Sequence, residues 1–275
     1  MEIHDVHHLG RERVIACFEL DGVLVDPGPE VSLDGWIDGL AGEPRAILLT
    51  HIHFDHAGAT GALLRRWPSL PVYVHSKGAR HLADPSRLVA SATRLYGEEG
   101  MKELWGEVIP VPSANLHPLE GGEDVLGGFS VEYTPGHASH HVSFLHRDTG
   151  TAFCGDVAGV RIPPSDLTIA PTPPPDIDIV AWMGSLDAIG AWKPSSLAIT
   201  HFGVVDGVDE QLGSVRRALL EQQRLVREND VDGFVKAHRE LLEAQSDPET
   251  AAAYTQAAVP EHLYLGLERW LSKNG

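Results

Sequence analysis

The chain has 275 residues, 43% hydrophobic and 22% charged, enough to bury a sizeable core as one large domain or one domain with an appendage. Lys and Arg total 21 against 39 Asp and Glu, a formal net charge of −18, which keeps a protein soluble and argues against a nucleic acid partner, whose phosphates require a basic surface. Two cysteines, Cys17 and Cys154, are too few for a disulfide scaffold and suit a reducing, cytoplasmic compartment, and neither a secretory signal nor a bilayer-length apolar run is present.

The segment "RVIACFELDGVLVDPGPE" reads as two apolar strands around an Asp21-Gly22 turn, stopped by Pro27 and Gly28. "RAILLT" is a short, nearly all-apolar run rich in β-formers, as a buried strand requires. "AGATGALLRRW" has helical spacing, with Ala59, Leu63 and Trp67 on one face, and Pro68 ends it. "PVYVH" is a strand, followed by a mainly helical stretch from Lys77 to Trp105. Strand signals resume at "GEVIPV", "FSVEYT", "HVSFLH" and "TAFCGD". "APTPPPDID" is a rigid proline-rich loop, and "IVAWMGSLDAIGAW" reads as a helix. "SLAIT" is the last strand. Beyond Asp206 the chain turns helical, in "DEQLGSVRRALLEQQRLVREN" and "HLYLGLERWLSKN". An α/β core, residues 1–205, therefore carries a helical C-terminal extension, residues 206–275. The extension's Leu and Val stripe is a packing face, which either covers a site or pairs two copies in a homodimer.

Chemistry is concentrated in "THIHFDH". Imidazole and carboxylate are poor core residues, and four of them in six positions cost desolvation unless something binds them. Chance coincidence of these residue types is about 10⁻⁶ per starting position at average usage. His51, His53, Asp55 and His56 follow "AILLT" directly; His137 follows "VEYTPG", Asp156 follows "AFCG" and His201 follows "LAIT". Each thus sits just past the C-terminal end of an apolar strand, where a sheet presents its site and loops gather distant residues. Imidazole nitrogen and carboxylate oxygen in this number suit zinc, with iron or manganese as alternatives. The remaining isolated histidines, including the N-terminal His4, His7 and His8, read as structural or exposed.

"THIHFDH", "TPGH", "CGD" and "THFG", in that order, resemble the metallo-β-lactamase superfamily, over about residues 10 to 205. The resemblance implies a four-layer αββα sandwich and two divalent metal ions. It places His51, His53 and His137 on one metal and Asp55, His56 and His201 on the second, with Asp156 bridging. It implies that Asp26 orients the metal loop from behind, and that His141 is a supporting or substrate-side residue. With Asp55, Asp156 and a hydroxide, three negative charges would face four on two divalent ions, so the full ligand set makes electrostatic sense only with both present.

The activity implied is hydrolysis of a small ester, thioester or lactone by a metal-bridging hydroxide, with Asp55 or Asp156 carrying the proton. Phosphodiester cleavage is an alternative within the same fold. Another is a mononuclear iron persulfide dioxygenase, which would leave Asp55, His56 and His201 idle. Resemblance to glyoxalase II thioesterases is partial, because the chain continues after Asp156 as "VAGVRIPPSD". Arg161 is a candidate contact for an anionic small-molecule substrate, with a surface ion pair as the plain alternative. Tyr96 and Trp192 read as core residues by default, with a place in a pocket wall as the alternative; the "PTPPPDID" loop is a candidate wall, and no organic cofactor is implied.

Overall fold

Strand pairing builds two mixed sheets of six strands each, described over residues 1–274 in a computed structural model. The first sheet holds β1 (Glu2–Asp5), β2 (Ala16–Leu20), β3 (Val23–Val25), β4 (Ala46–Leu48), β5 (Val72–His75) and β6 (Leu116–Leu119), in that spatial order. The second holds β7 (Asp124–Val125), β8 (Phe129–Tyr133), β9 (Val142–His146), β10 (Thr151–Phe153), β11 (Ser196–Ile199) and β12 (Gly203–Val205), side by side from β7 to β12. Around them run α1 (Phe54–Ala57), α2 (Thr60–Arg66), α3 (Ser76–Ala83), α4 (Ser86–Trp105), α5 (Ile179–Ala191), α6 (Val208–Glu228), α7 (Val231–Gln245), α8 (Pro248–Ala257) and α9 (Pro260–Asn274).

The strands read as unbroken apolar runs because both of their faces are buried. Side chains alternate across a strand, and here the alternation sorts them into two cores. Phe18, Val23, Val25 and Leu48 face Phe144, Phe153 and Ala198 between the sheets. Their neighbours Cys17, Leu24, Ile47, Leu197 and Ile199 point outward into a second cluster with the helices. That division produces the αββα sandwich.

Helices α6 to α9 join the same outer cluster through Val215, Leu219, Phe234, Tyr254 and Leu267. Buried polar groups tie them to the loop after β10. Gln222 donates to Ala170 O at 2.9 Å and accepts from Ala170 N at 3.0 Å; Gln211 donates to Ala158 O at 2.9 Å; Tyr254 Oη accepts from Ile162 N at 2.9 Å.

Three expectations differ. "GEVIPV" forms no strand; its backbone at Ile109 instead packs against Gly61 of α2. The N-terminus is β1, an edge strand that leaves Glu2 and Ile3 exposed, and β12 follows the strand expected to be last. No helix among the described residues is long and apolar enough to cross a membrane.

Candidate metal centre and its cavity

The sheets meet at one end, where Val142 N donates to Thr50 O and Ala16 N to Thr200 O, each at 2.8 Å. The ends of β4, β8, β10 and β11 therefore open into one space. There the structure brings together all seven residues read from the sequence: His51, His53, Asp55, His56, His137, Asp156 and His201. Ligand atoms of His51, His53 and His137 lie within 4.8 Å of one another, as do those of His51, His56 and Asp156, and those of Asp55, His56 and His201.

Outer hydrogen bonds fix which nitrogen of each ring faces inward. His56 Nδ1 donates to Asp26 Oδ2 at 2.9 Å, His137 Nδ1 to Pro171 O at 2.8 Å and His201 Nδ1 to Val14 O at 2.6 Å. His51 Nδ1 lies 3.1 Å from Thr50 Oγ1, which itself donates to Asp26. Four Nε2 lone pairs consequently converge. His51 Nε2 and His137 Nε2 both lie 3.0 Å from His53 Nδ1, and one Nδ1 proton cannot serve both. His56 Nε2 is 3.1 Å from Asp156 Oδ1, and His201 Nε2 is 3.4 Å from Asp55 Oδ2. Yet His56 Nε2, His201 Nε2 and Asp156 Oδ1 are buried without a hydrogen-bond partner. Buried donors and acceptors are rarely left this way, and a set of inward lone pairs beside carboxylates is satisfied by cations. The residues fit divalent metal ions.

Burial sets the charge on these groups, modified by their neighbours. It lowers the pKa values of His51, His53 and His137, that of His53 to about 4, keeping the three rings neutral. Burial also opposes charge on His56 and His201, but nearby Asp156 and Asp55 outweigh it and raise both. Burial resists ionisation of Asp55 and Asp156, and the facing histidines overcome it and lower both.

Asp26, fully buried, accepts four hydrogen bonds: from Thr50 N at 2.8 Å, Thr50 Oγ1 at 2.7 Å, Thr200 Oγ1 at 3.0 Å and the His56 ring. It thereby locks the loops after β4 and β11 to each other. Gly136, at φ 137°, lets the His137 loop press against α5, where a Cβ would collide with Trp182.

Arg161 and His141 lie away from the cavity, each in the plainer of the two positions open to it. Arg161 pairs with Asp166 and donates to Gln211 Oε1 at 3.3 Å, away from the cavity. Its guanidinium is already committed, so it meets no substrate there. His141 lies behind His51, stacked at 5.1 Å with Nδ1 on Thr134 Oγ1 at 2.9 Å, and does not line the cavity. Its neighbour His140, which sequence reasoning passed over, does.

A cavity of about 490 Å³ opens over His53, Asp55 and Asp156, within the usual range for small-molecule sites. Tyr96 of α4 and Pro171 with Pro173 to Asp176 of the proline-rich loop line it, while Trp192 packs elsewhere against the core. The α8–α9 corner, Gln256 to Val259 with His262 and Leu263, closes another side, so the extension covers the site. His8 also lines it, stacked on Trp105 at 5.5 Å. Nothing in "HHLG" marks that position, because the contact is made across the fold.

The sequence matches the family described as the Metallo-beta-lactamase superfamily over residues 16–201. A probable metallo-hydrolase of Bacillus subtilis is 36% identical over 139 residues, covering 49% of this chain and 60% of that protein. A hydroxyacylglutathione hydrolase of Xylella fastidiosa is 36% identical over 138 residues, 49% of this chain and 40% of that protein. The match thus spans about half the length of these curated relatives. The crystal structure of an archaeal metallo-beta-lactamase superfamily protein from Sulfolobus tokodaii superposes with a TM-score of 0.67 at 26% identity, covering 80% of this chain and 85% of that one.

Proposed function

The chain belongs to the metallo-beta-lactamase superfamily as a metallo-hydrolase, and from that premise we propose that it cleaves a small ester, thioester or lactone at a two-metal centre. The observation that carries this reading is the convergence of four Nε2 lone pairs and two carboxylates, three of whose atoms are buried without partners. His51, His53 and His137 would hold one ion, Asp55, His56 and His201 the other, and Asp156, whose two oxygens face His56 and His137, would lie between them. Zinc suits the imidazole and carboxylate donors, and iron or manganese use the same set. When bound, such ions polarise a carbonyl and make water acidic near neutral pH.

The chain's own residues do the rest. His53, Asp55 and Asp156 border the cavity, so a substrate carbonyl reaches the centre across them. Asp55 is the more open carboxylate, with its side chain 21% exposed against 4% for Asp156. It is accordingly the better placed to take a proton and deliver it to a leaving group. The apolar residues of α4 and the α8–α9 corner exclude water and strengthen electrostatics at the reacting carbon. Similarity to a hydroxyacylglutathione hydrolase supports a thioester among the three substrate types.

Full-length protein, assayed for bound metal and screened on thioesters, lactones, carboxylic esters and phosphodiesters, tests the reading. About two ions per chain and hydrolysis of one of the first three classes, lost in His56→Ala, is the expected result. Fully metal-loaded protein that turns over none of them overturns it.

A further inference from the structure

The cavity wall is not uniform. At one end, Lys77 and Arg80 of α3 and Arg87 of α4 come together with Ser139, His140 and Asp176. Arg80 Nε lies 3.3 Å from His81 Nε2, and Lys77 Nζ donates to Tyr133 Oη at 2.8 Å. Among the described residues, none of these three cations has a carboxylate within 4.0 Å, whereas Arg65, Arg66, Arg147 and Arg224 on other exposed faces are each paired. Two acids stand near them: Asp176, which accepts from Ser139 Oγ at 2.6 Å, and Asp84, which accepts from Ser86 N at 3.2 Å and is held ionised by Ser86 and, more weakly, by nearby Arg87. Three unpaired cations at one mouth are notable on a chain of net charge −18, whose overall field repels anions.

The other end is aromatic and aliphatic. Trp105 lies 5.5 Å from both His8 and Tyr96 and 6.1 Å from Phe54, and Tyr96 lies 5.4 Å from His262. Leu95 and Leu263 extend the surface. Such walls retain alkyl groups, each buried methylene contributing roughly fourfold in affinity. A volume of about 490 Å³ is far more than an acetyl group fills.

Resting on the hydrolase reading, we propose that the substrate is an amphiphilic acyl compound. Its apolar chain lies between α4 and the α8–α9 corner, and its anionic group, a carboxylate, sulfonate or phosphate, is held by Lys77, Arg80 and Arg87. The metal-facing residues His53, Asp55 and Asp156 border the same cavity, so one molecule can reach both ends while presenting its acyl carbon to them.

Titration calorimetry on the full-length protein as purified, with octanesulfonate, octanol and methanesulfonate, tests this without turnover. Octanesulfonate should bind at least about tenfold tighter than either fragment. The double variant Arg80→Gln/Arg87→Gln, both residues being exposed, should weaken octanesulfonate at least about fivefold and leave octanol unchanged. Leu95→Gln should weaken both octyl ligands. Octanesulfonate binding no tighter than octanol, or unaffected by the arginine changes, overturns the proposal. Acetyl and octanoyl thioesters assayed in parallel separate the two readings. Turnover at equal kcat/KM for both overturns the ligand class and keeps the hydrolase; intact octanesulfonate binding by metal-loaded protein that turns over no thioester, ester or lactone keeps the ligand class and removes the hydrolase.

Discussion

The floor and the outer wall of the cavity are held by different physics. On the floor, His51, His56, His137, Asp156 and His201 are at most 3% exposed, and each of the four rings has an outer hydrogen-bond partner that sets its orientation. On the wall, α4 has Met101 as its single buried residue and leaves helical geometry at Gly97, where φ is 74°. Buried hydrogen-bonded groups hold one arrangement, while half-exposed apolar side chains exchange at little cost. Reaction type is therefore written into the interior, and choice of substrate into a surface helix and a helix corner.

His56→Ala is the most severe way to probe that contrast. It removes a ring whose two nitrogens face Asp26 and Asp156, and kcat/KM should fall at least about 10³-fold. Octanesulfonate binding at the wall should persist. A second probe is acid, directed at the wall's scaffold. His238 of α7 is 2% exposed, its Nε2 has no partner, and burial holds its pKa at about 4. The unfolded ring titrates near 6.5, so the folded state keeps its full stability above that pH. It loses up to about 3 kcal/mol as pH falls from 6.5 to 4. Urea melts at pH 7 and pH 4.5 should show the loss, and His238→Leu should flatten it.

Asp26→Asn retains a hydrogen-bond acceptor for His56 but removes the charge, and metal affinity should drop about 10- to 100-fold in competition with a chelating dye. An unchanged affinity would mean that the floor does not depend on its outer hydrogen bonds. The mildest change is Asp247→Ala. This side chain caps α8 through Glu249 N at 3.0 Å and Thr250 N at 3.1 Å. Its loss should cost about 1 kcal/mol in a thermal melt, with kcat on a short thioester unaltered.

The floor was legible in the sequence because its ligands sit immediately after apolar strands, where a local pattern and a long-range position coincide. Asp26, in "VLVDPG", was legible only through the family resemblance. The wall was legible only in pieces. Tyr96 and the proline-rich loop stood out by composition, whereas His8, His140 and Val259 carry no local mark and acquire a role only when the fold brings them to one cavity. The strands that escaped notice have a common cause. β1 and β6 are edges of the first sheet, where an exposed face need not be apolar and Pro118, opposite Val74, is tolerated because no strand lies on the outer side of β6. "GEVIPV" failed in the opposite sense: its apolar residues serve packing against α2, not strand pairing.

Floor and wall touch at one carbonyl. Pro171 O receives the His137 ring, and the next residue, Thr172, donates its hydroxyl to Leu263 O of α9 at 3.0 Å. Gly266 lets that helix sit directly on the Thr172 backbone, where a Cβ would collide. The helix that walls the cavity is thus joined through two adjacent residues to a ring in the reactive cluster. Over evolutionary drift, the segment from Pro173 onward is free to retune selectivity, whereas any shift at Pro171 and Thr172 alters reactivity as well.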